Sequence, residues 1–212
     1  MFCDYLGPFK VKLNGTTKKV YVLCFTCLWS RHINLKVCED LSVENFIRSF
    51  QLHCFEYGVP ETCHSDMGSQ IVAASNVISD FIKDEETTKY FRELGMSSPT
   101  FTQVPKGNKE LAGLIEICVK MVKRLLYGSI GKVILSYSDL EFLVYHCTHI
   151  INRRPVAFKE SLRDTANTPC PITPEMITKG YELPSVNLIP NLQQTPIDPD
   201  WYQQLDAGNI TD

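Results

Sequence analysis

The segment from Glu110 to Tyr127, ELAGLIEICVKMVKRLLY, constrains the fold more than any other stretch of the 212-residue chain. Apolar residues recur in it at every third or fourth position, which predicts one amphipathic helix packed against a core. Its narrow polar side carries Glu116, Lys120 and Lys123, since seven residues make almost two turns. The pattern has two interpretations: an exposed Glu–Lys pair that supports the helix, or a carboxylate held beside two ammonium groups in a functional site.

The composition is that of a globular protein, with 44% apolar and 21% charged residues. No apolar run approaches the length needed to cross a bilayer, and the amino terminus, MFCDYLGPFK, lacks the layout of a signal peptide. Nine cysteines, an odd number, are then expected to be reduced core thiols. We therefore expect an intracellular protein with no membrane partner.

The hydrophobic periodicity predicts three strands, helix, strand, helix, strand, helix, helix. Asn14-Gly15 indicates the turn of a hairpin, because both positions tolerate a positive φ. Ser42 is the expected N-cap of the first helix, and Ser138-x-x-Glu141 predicts a capping box for the last. The expected elements are antiparallel strands within 1–37, a helix over 40–58, a strand over 61–65, a helix over 76–94, a strand over 100–104, and helices over 110–127 and 140–151.

The last part of the chain differs in composition from the rest. Eight of the twelve prolines lie from Pro155 onward, so we expect residues 156–212 to form a Pro-rich irregular extension without long helices or central strands. Residues 1–155 carry a net charge of +2, whereas residues 156–212 carry −5. The overall charge of −3 therefore does not argue against a nucleic-acid partner for the first 155 residues.

Three acidic residues are predicted to converge. Asp4 lies on the first strand, Asp66 follows the fourth strand and Glu116 lies on the helix after the fifth. If strands one and four are neighbours in a mixed sheet, and the helix crosses that sheet, the three carboxylates meet. Such a cluster needs cations, and hard oxygen ligands favour Mg²⁺ or Mn²⁺. Two ions about 3.5–4 Å apart would suit phosphodiester chemistry, with Lys120 and Lys123 beside the phosphates.

Spacing alone is weak support, because the chain has 24 acidic residues and hence many possible triples. Two zinc sites are conceivable alternatives, and both are disfavoured by their ligand spacing. The first is the Cys-x-x-Cys pair Cys24 and Cys27, which lies in an apolar strand-like run with no second ligand pair nearby. The second is the group His53, Cys54, Cys63 and His64.

Several collinear motifs resemble one known family. DYLGPF around Asp4, VYVLCFTCLWSRHINLKVCEDLSVENF, HSDMGSQ around Asp66, GLIEICVKMVKRLL around Glu116, NRRP and CPITPEMI are similar to the integrase catalytic core of LTR retroelements. The Bel/Pao class of retrotransposons is the nearest match. The resemblance covers roughly residues 1–180.

The resemblance implies an α/β fold of the RNase H-like type: a mixed five-stranded sheet flanked by helices, in a core spanning 1–155 whose first strand is shortened at its start. It also implies a D…D…E triad of Asp4, Asp66 and Glu116 that binds two Mg²⁺ ions. The implied activity is 3′-end processing and strand transfer of element DNA, by an oligomer, in the nucleus. Lys120 and Lys123 match the basic residues that follow the family's Glu.

The chain departs from the family pattern at the second motif and before the third. Met67 and Ile71 stand where an Asn and an aromatic are usual, and the loop 105–113 is longer and lacks an aromatic. Glu110 is a rival third carboxylate, but no basic residues follow it at i+4 and i+7. Two other functions therefore stay open: an inactive remnant that binds DNA or protein, and an RNase H-like nuclease that cuts without joining.

The remaining conspicuous side chains are expected to have structural roles. Arg153 and Arg154 are an exception, because they could equally contact DNA or stabilise a helix C-terminus. Those expected to pack or cap are His32, His146, His149, Trp29 and Trp201.

Overall fold

The protein is built on one mixed β-sheet with helices against both faces. The computed structural model describes residues 1–65, 69–82, 99–103, 109–159 and 170–180, together with residues 85 and 89. The strands are β1 (Phe2–Leu13), β2 (Thr16–Thr26), β3 (Ile33–Cys38), β4 (Thr62–Ser65), β5 (Thr100–Gln103), β6 (Leu135–Ser136), β7 (Ala157–Lys159) and β8 (Cys170–Ile172). The helices are α1 (Val43–Tyr57), α2 (Ser69–Ile82), α3 (Lys109–Ile130), α4 (Tyr137–Asn152) and α5 (Pro174–Lys179).

The main sheet has the strand order β3-β2-β1-β4-β5. The first three strands are antiparallel neighbours, and β4 and β5 continue the sheet in parallel with β1. The predicted neighbourhood of strands one and four is therefore confirmed. The two-residue strand β6, which periodicity did not predict, adds a parallel pairing at the far end of β1.

The first two strands form a long hairpin with the turn that the sequence predicts. Asn14 and Gly15 have φ values of 51° and 75°, as a two-residue turn with two left-handed positions requires. The pairing of β1 with β2 shifts register between Leu6 and Phe9. This bulge at Gly7-Pro8 places Leu6 and Phe9 in the same core although they are three residues apart.

Each face of the sheet covers its own hydrophobic core. One core contains side chains of β1, β2 and β3 packed against α3 and α4, among them Leu6, Val22, Val122 and Val144. The other contains the alternate side chains of the same strands packed against α1 and α2. The predicted apolar stripe of α3 faces the sheet: Ile115, Cys118 and Val122 are buried, and Val119 and Leu126, which were not predicted, are buried with them.

The first residues of the helices test the capping predictions. Ser42 caps α1, and its hydroxyl accepts a hydrogen bond from the Asn45 amide at 3.3 Å. The predicted cap of α4 was wrong: Ser136, not Ser138, accepts from the Asp139 amide, at 3.1 Å. Ser136 is extended because it ends β6, whereas Ser138 already lies in the first turn. The N-cap therefore lies two residues earlier than predicted.

Two helix boundaries also differ from the prediction. Helix α2 begins at Ser69 rather than at 76, because Ile71 and Ala74 are buried in the core beneath α1 and α2. The predicted end of that helix at 94 lies outside the described residues. Helix α3 continues to Ile130, three residues beyond the predicted end.

The described part of the predicted extension holds the hairpin of β7 and β8 and the short helix α5. Thr178 of α5 donates a hydrogen bond to Ser30 at 2.9 Å, so this helix contacts the turn after β2. Residues Met1–Tyr181 form one compact unit. The boundary at 155 stays a prediction, as does a shortened start of β1, which spans 12 residues here.

Trp29 is the packing residue that was predicted wrongly. Strand β2 ends at Thr26, and Trp29 lies in the following turn with 82% of its surface exposed. Trp201 lies outside the described residues.

Among the helices that the structure describes, none has both the length and the apolar character to cross a bilayer.

Candidate active site

Asp4 lies where the two sequence-distant halves of the sheet meet. Its neighbour Cys3 is the Cα partner of Ser65, the last residue of β4, and Asp4 itself pairs with Cys24 of β2. The strand that leads to Asp66 therefore runs directly beside the strand that carries Asp4. Asp66 itself lies outside the described residues, so its own position stays a prediction.

Asp4 and helix α3 are on the same side of the sheet. Asp4 lies on the same face of β1 as Phe2 and Leu6, two residues away on either side, and both of these pack in the core that includes Ile115 and Cys118 of α3. Asp4 is half-buried, as is expected for a side chain at the margin of that core. Helix α3, which carries the predicted third carboxylate, therefore lies on the same side of the sheet as Asp4.

Cys24 is the β2 partner of Asp4, and it packs in the core that includes α3. Burial raises the pKa of the Cys24 thiol to about 12, and the contact with Thr26 lowers it. The Asp4 carboxylate and the Cys118 thiol also raise it. Cys118 packs in the same core as Cys24 and lies two residues beyond Glu116 on α3.

Glu116, Lys120 and Lys123 occupy one exposed flank of α3. Glu116 Oε1 is 2.7 Å from Lys120 Nζ, and the two side chains are 62% and 73% exposed. The hydrogen bond from Lys120, and then its charge, lower the pKa of Glu116. The Glu–Lys pair expected at i, i+4 is therefore present. Lys123 is exposed one turn further along.

The donor set on this face suits a hard divalent cation. Asp4 and Glu116 offer only oxygen atoms as ligands. Within the described residues, no group of three or more His, Cys, Asp or Glu side chains is placed to hold a metal. Asp66 lies outside those residues, so the triad stays a prediction.

The residues of the alternative zinc groups make other contacts. His53 Nδ1 is 3.1 Å from the Asn34 amide nitrogen, and its ring stacks on Phe25. Cys63 and Cys3 have their sulfurs 3.6 Å apart between β4 and β1, and His64 Nδ1 lies 2.8 Å from Thr102 Oγ1. Cys27 accepts from the Ser30 amide in the turn after β2.

Arg154 stabilises a helix end, one of its two predicted roles. Its Nη1 donates to the Ile151 carbonyl at 2.6 Å, and its Nη2 donates to the Arg31 carbonyl at 3.2 Å.

His32 packs as predicted: it is buried against Tyr57, with Nε2 at 3.0 Å from the Asn152 amide nitrogen.

A buried polar group near β3 was not foreseen from the sequence. Lys36 is only 6% exposed, and it donates to Glu56 Oε1 at 2.5 Å, while Asn34 donates to Glu56 Oε2 at 2.9 Å. The signal was the polar set of the alternating run HINLKV, which would ordinarily face solvent. Here α1 covers it, so the pattern could not distinguish a polar face from a buried one.

The strand order and directions define the class of fold. Three antiparallel strands, extended beyond β1 by two parallel strands and flanked by helices on both faces, form an RNase H-like fold. The fold predicted from the sequence is therefore confirmed.

The comparisons with known proteins agree with this class at the level of fold. The chain is similar to a chain of the simian T-cell lymphotropic virus intasome in complex with PP2A regulatory subunit B56 gamma, with 16% identity and a TM-score of 0.48 over 90% of this chain. It spans 58% of that chain's length. It is also similar to the catalytic core domain of BIV integrase, with 14% identity and a TM-score of 0.48, covering 84% of this chain and 93% of the other.

The third similar structure is the HTLV-2 integrase catalytic core domain in complex with magnesium, with 12% identity, a TM-score of 0.44 and the same coverages of 84% and 93%. No family model matches the sequence, and no curated protein matches it. At these identities the similarity concerns the course of the chain and does not identify an activity.

Proposed function

We propose that the chain is the catalytic core of an LTR-retrotransposon integrase of the Bel/Pao class, which processes the 3′ ends of element DNA and joins them to a target. One observation carries the proposal. β1, with Asp4, pairs in parallel with the strand that ends at Ser65, and α3, with Glu116, lies on the same face of the sheet as Asp4.

Asp4, Asp66 and Glu116 would hold the two Mg²⁺ or Mn²⁺ ions. When bound, the ions would polarise the phosphodiester and favour ionisation of the attacking hydroxyl. The chain's own contribution is positional. β1 fixes Asp4 at the sheet, the buried stripe of α3 fixes the orientation of Glu116, and Lys120 and Lys123 would contact the DNA phosphates beside it.

The proposed assignment extends to the rest of the chain. Residues 1–155 would form the core and 156–212 a Pro-rich acidic extension. The partners would be element ends, target DNA and further copies of the chain, acting in the nucleus.

The first test is calorimetry of Mn²⁺ and Mg²⁺ binding, followed by DNA joining on the same samples. Asp4→Asn, Asp66→Asn and Glu116→Gln should each reduce metal affinity and joining by more than about 100-fold, because even outer partners of metal ligands commonly cost 10–100-fold. Glu110→Gln is the matched control, since Glu110 is another exposed carboxylate on α3. It should behave like the wild type.

The outcomes separate the candidate functions. Joined products that depend on the three residues support the integrase. Metal-dependent cutting without joining would instead indicate a nuclease of the same fold. A folded chain that binds no metal and joins no DNA would leave the inactive remnant, for which Met67 and Ile71 at the second motif are the sequence evidence.

A further inference from the structure

The first three strands carry an unbalanced positive charge. No acidic residue occurs between Asp4 and Glu39, while six lysines and arginines do. Four of these lysines lie in the far half of the β1–β2 hairpin: Lys10 and Lys12 on β1, and Lys18 and Lys19 on β2. All four side chains are exposed. We call the hairpin end that they occupy, residues 9–20, the basic tip.

The bulge at Gly7-Pro8 determines which way these lysines face. Phe9 and Val11 are buried beneath the helices, so Lys10 and Lys12, which alternate with them, lie on the opposite face of β1. Lys19 is the cross-strand partner of Lys10 and shares that face. Three ammonium groups are thus grouped on one side of the tip.

This grouping is unfavourable for the isolated chain. Lys10 and Lys19 are directly opposite each other, and like charges in such positions destabilise an antiparallel pair. Among the ion pairs of the described residues, none involves a lysine of the basic tip. The repulsion is relieved when an anion approaches the tip.

Protection of an open strand edge explains only part of the set. The described pairing of β2 with β3 begins at Tyr21, so the stretch of β2 with Lys18 and Lys19 has an open edge, where lysines discourage pairing with other chains. At Lys12 the strand β1 has no such edge, because Lys12 pairs with β6 on one side and with β2 on the other. Lys12 therefore needs another explanation, and so does the direct pairing of Lys10 with Lys19.

Lys132 adds positive charge near the basic tip, and an aromatic contact connects the tip to α3. Lys132 is exposed three residues before Leu135, the partner of Val11. The ring of Phe9 contacts Tyr127 of α3, with centroids 5.3 Å apart. Asp139 is the carboxylate that follows β6, and it accepts a hydrogen bond from Ser136 Oγ at 2.5 Å.

We propose that the basic tip is a second nucleic-acid contact, which binds the phosphate backbone of duplex DNA through Lys10, Lys12, Lys18 and Lys19 beyond the α3 flank. Lysines act as point charges on phosphates, so the contact is independent of DNA sequence. The inference rests on the proposed function for the identity of its partner. It needs no metal and no catalysis.

The test measures binding of the full chain to a fluorescent blunt-ended duplex, without divalent metal, over a salt series. Changing all four lysines to glutamine should weaken binding at low salt. It should also make the slope of log K against log salt shallower by about 0.9 for each phosphate that the variant no longer neutralises, or about 2–4 in total. Changing the same four lysines to arginine is the matched control and should retain the slope. Circular dichroism establishes that both variants fold.

An unchanged slope in the glutamine variant of a chain that binds DNA would overturn the inference and leave the proposed function intact. Weakened binding in a chain that never joins DNA would support the inference and overturn the proposed function. Equal DNA binding by both variants, with only the glutamine variant losing binding to phosphatidylserine vesicles or to a poly-glutamate peptide, would assign the tip to a membrane or an acidic protein and overturn the nucleic-acid contact.

Discussion

At the scale of single residues, Cys24 shows how the candidate site is assembled. It lies on a central strand, opposite Asp4 in the pairing of β1 with β2, and packs in the same core as Cys118 of α3. Cys24 is fully buried, so the side chain next to Asp4 belongs to the core and does not reach solvent.

Lys120 lowers the pKa of Glu116, which gives a prediction for the pair. Because the hydrogen bond and charge of Lys120 lower the pKa of Glu116, Lys120→Gln should raise that pKa toward its ordinary value. NMR titration of the Glu116 side-chain carboxyl measures it. Lys123→Gln removes the same charge one turn further along and is the control. An equal rise in both variants would show that the general field of α3, rather than the pair, acts on Glu116.

At the scale of elements, short sequence patterns correctly predicted those features that depend on interactions between neighbouring residues. The Asn14-Gly15 turn, the Ser42 cap and the apolar stripe of α3 are all present as predicted. The sequence also predicted that Asp4 lies on the first strand and Glu116 on the long helix, and the structure confirms both positions, while their role as metal ligands stays a prediction.

The two wrong predictions, Ser138 as a cap and Trp29 as a packing residue, have different causes. Ser136 is a cap because β6 pairs with β1, more than 120 residues earlier, and this pairing ends at Ser136. Trp29 continues an apolar run, yet the chain turns before it: the Cys27 amide donates to the His32 carbonyl, and Arg31 takes a φ of 59°. Neither event leaves a pattern in the neighbouring residues.

The corrected cap of α4 can be tested directly. Ser136→Ala removes the acceptor for the Asp139 amide and should lower the free energy of unfolding by about 1 kcal/mol. Ser138→Ala changes an exposed serine two residues away and should stay within about 0.5 kcal/mol of the wild type. Urea denaturation compares them. The reverse order would restore Ser138 as the cap.

At the scale of the whole molecule, buried histidines link folding to pH. Burial is the main cause that lowers the pKa of His32 to about 4 and that of His53 to about 3. The neighbouring charges of Lys179 and Lys36, respectively, lower them further. In the unfolded chain both histidines bind protons below about pH 6.5, while in the folded chain they stay neutral.

Acid should therefore destabilise the protein at pH values well above those at which its carboxylates bind protons. The unfolded state binds more protons between about pH 6.5 and 4, so the free energy of unfolding should fall by about 3–4 kcal/mol from pH 7 to pH 5. His32→Gln should remove about half of this dependence. Urea denaturation at both pH values gives the slopes. A variant with the full wild-type slope would contradict the low pKa of His32 in the folded protein.

The bulge at Gly7-Pro8 makes the two ends of β1 independent of each other. A regular strand would tie the direction of every later side chain to that of Asp4, whereas the shift between Leu6 and Phe9 resets the alternation. Without this shift, Lys10 and Lys12 would lie on the same face of β1 as Asp4 and Leu6, beneath the helices. The bulge therefore allows a single strand to present a half-buried carboxylate on one face of the sheet and exposed lysines on the other.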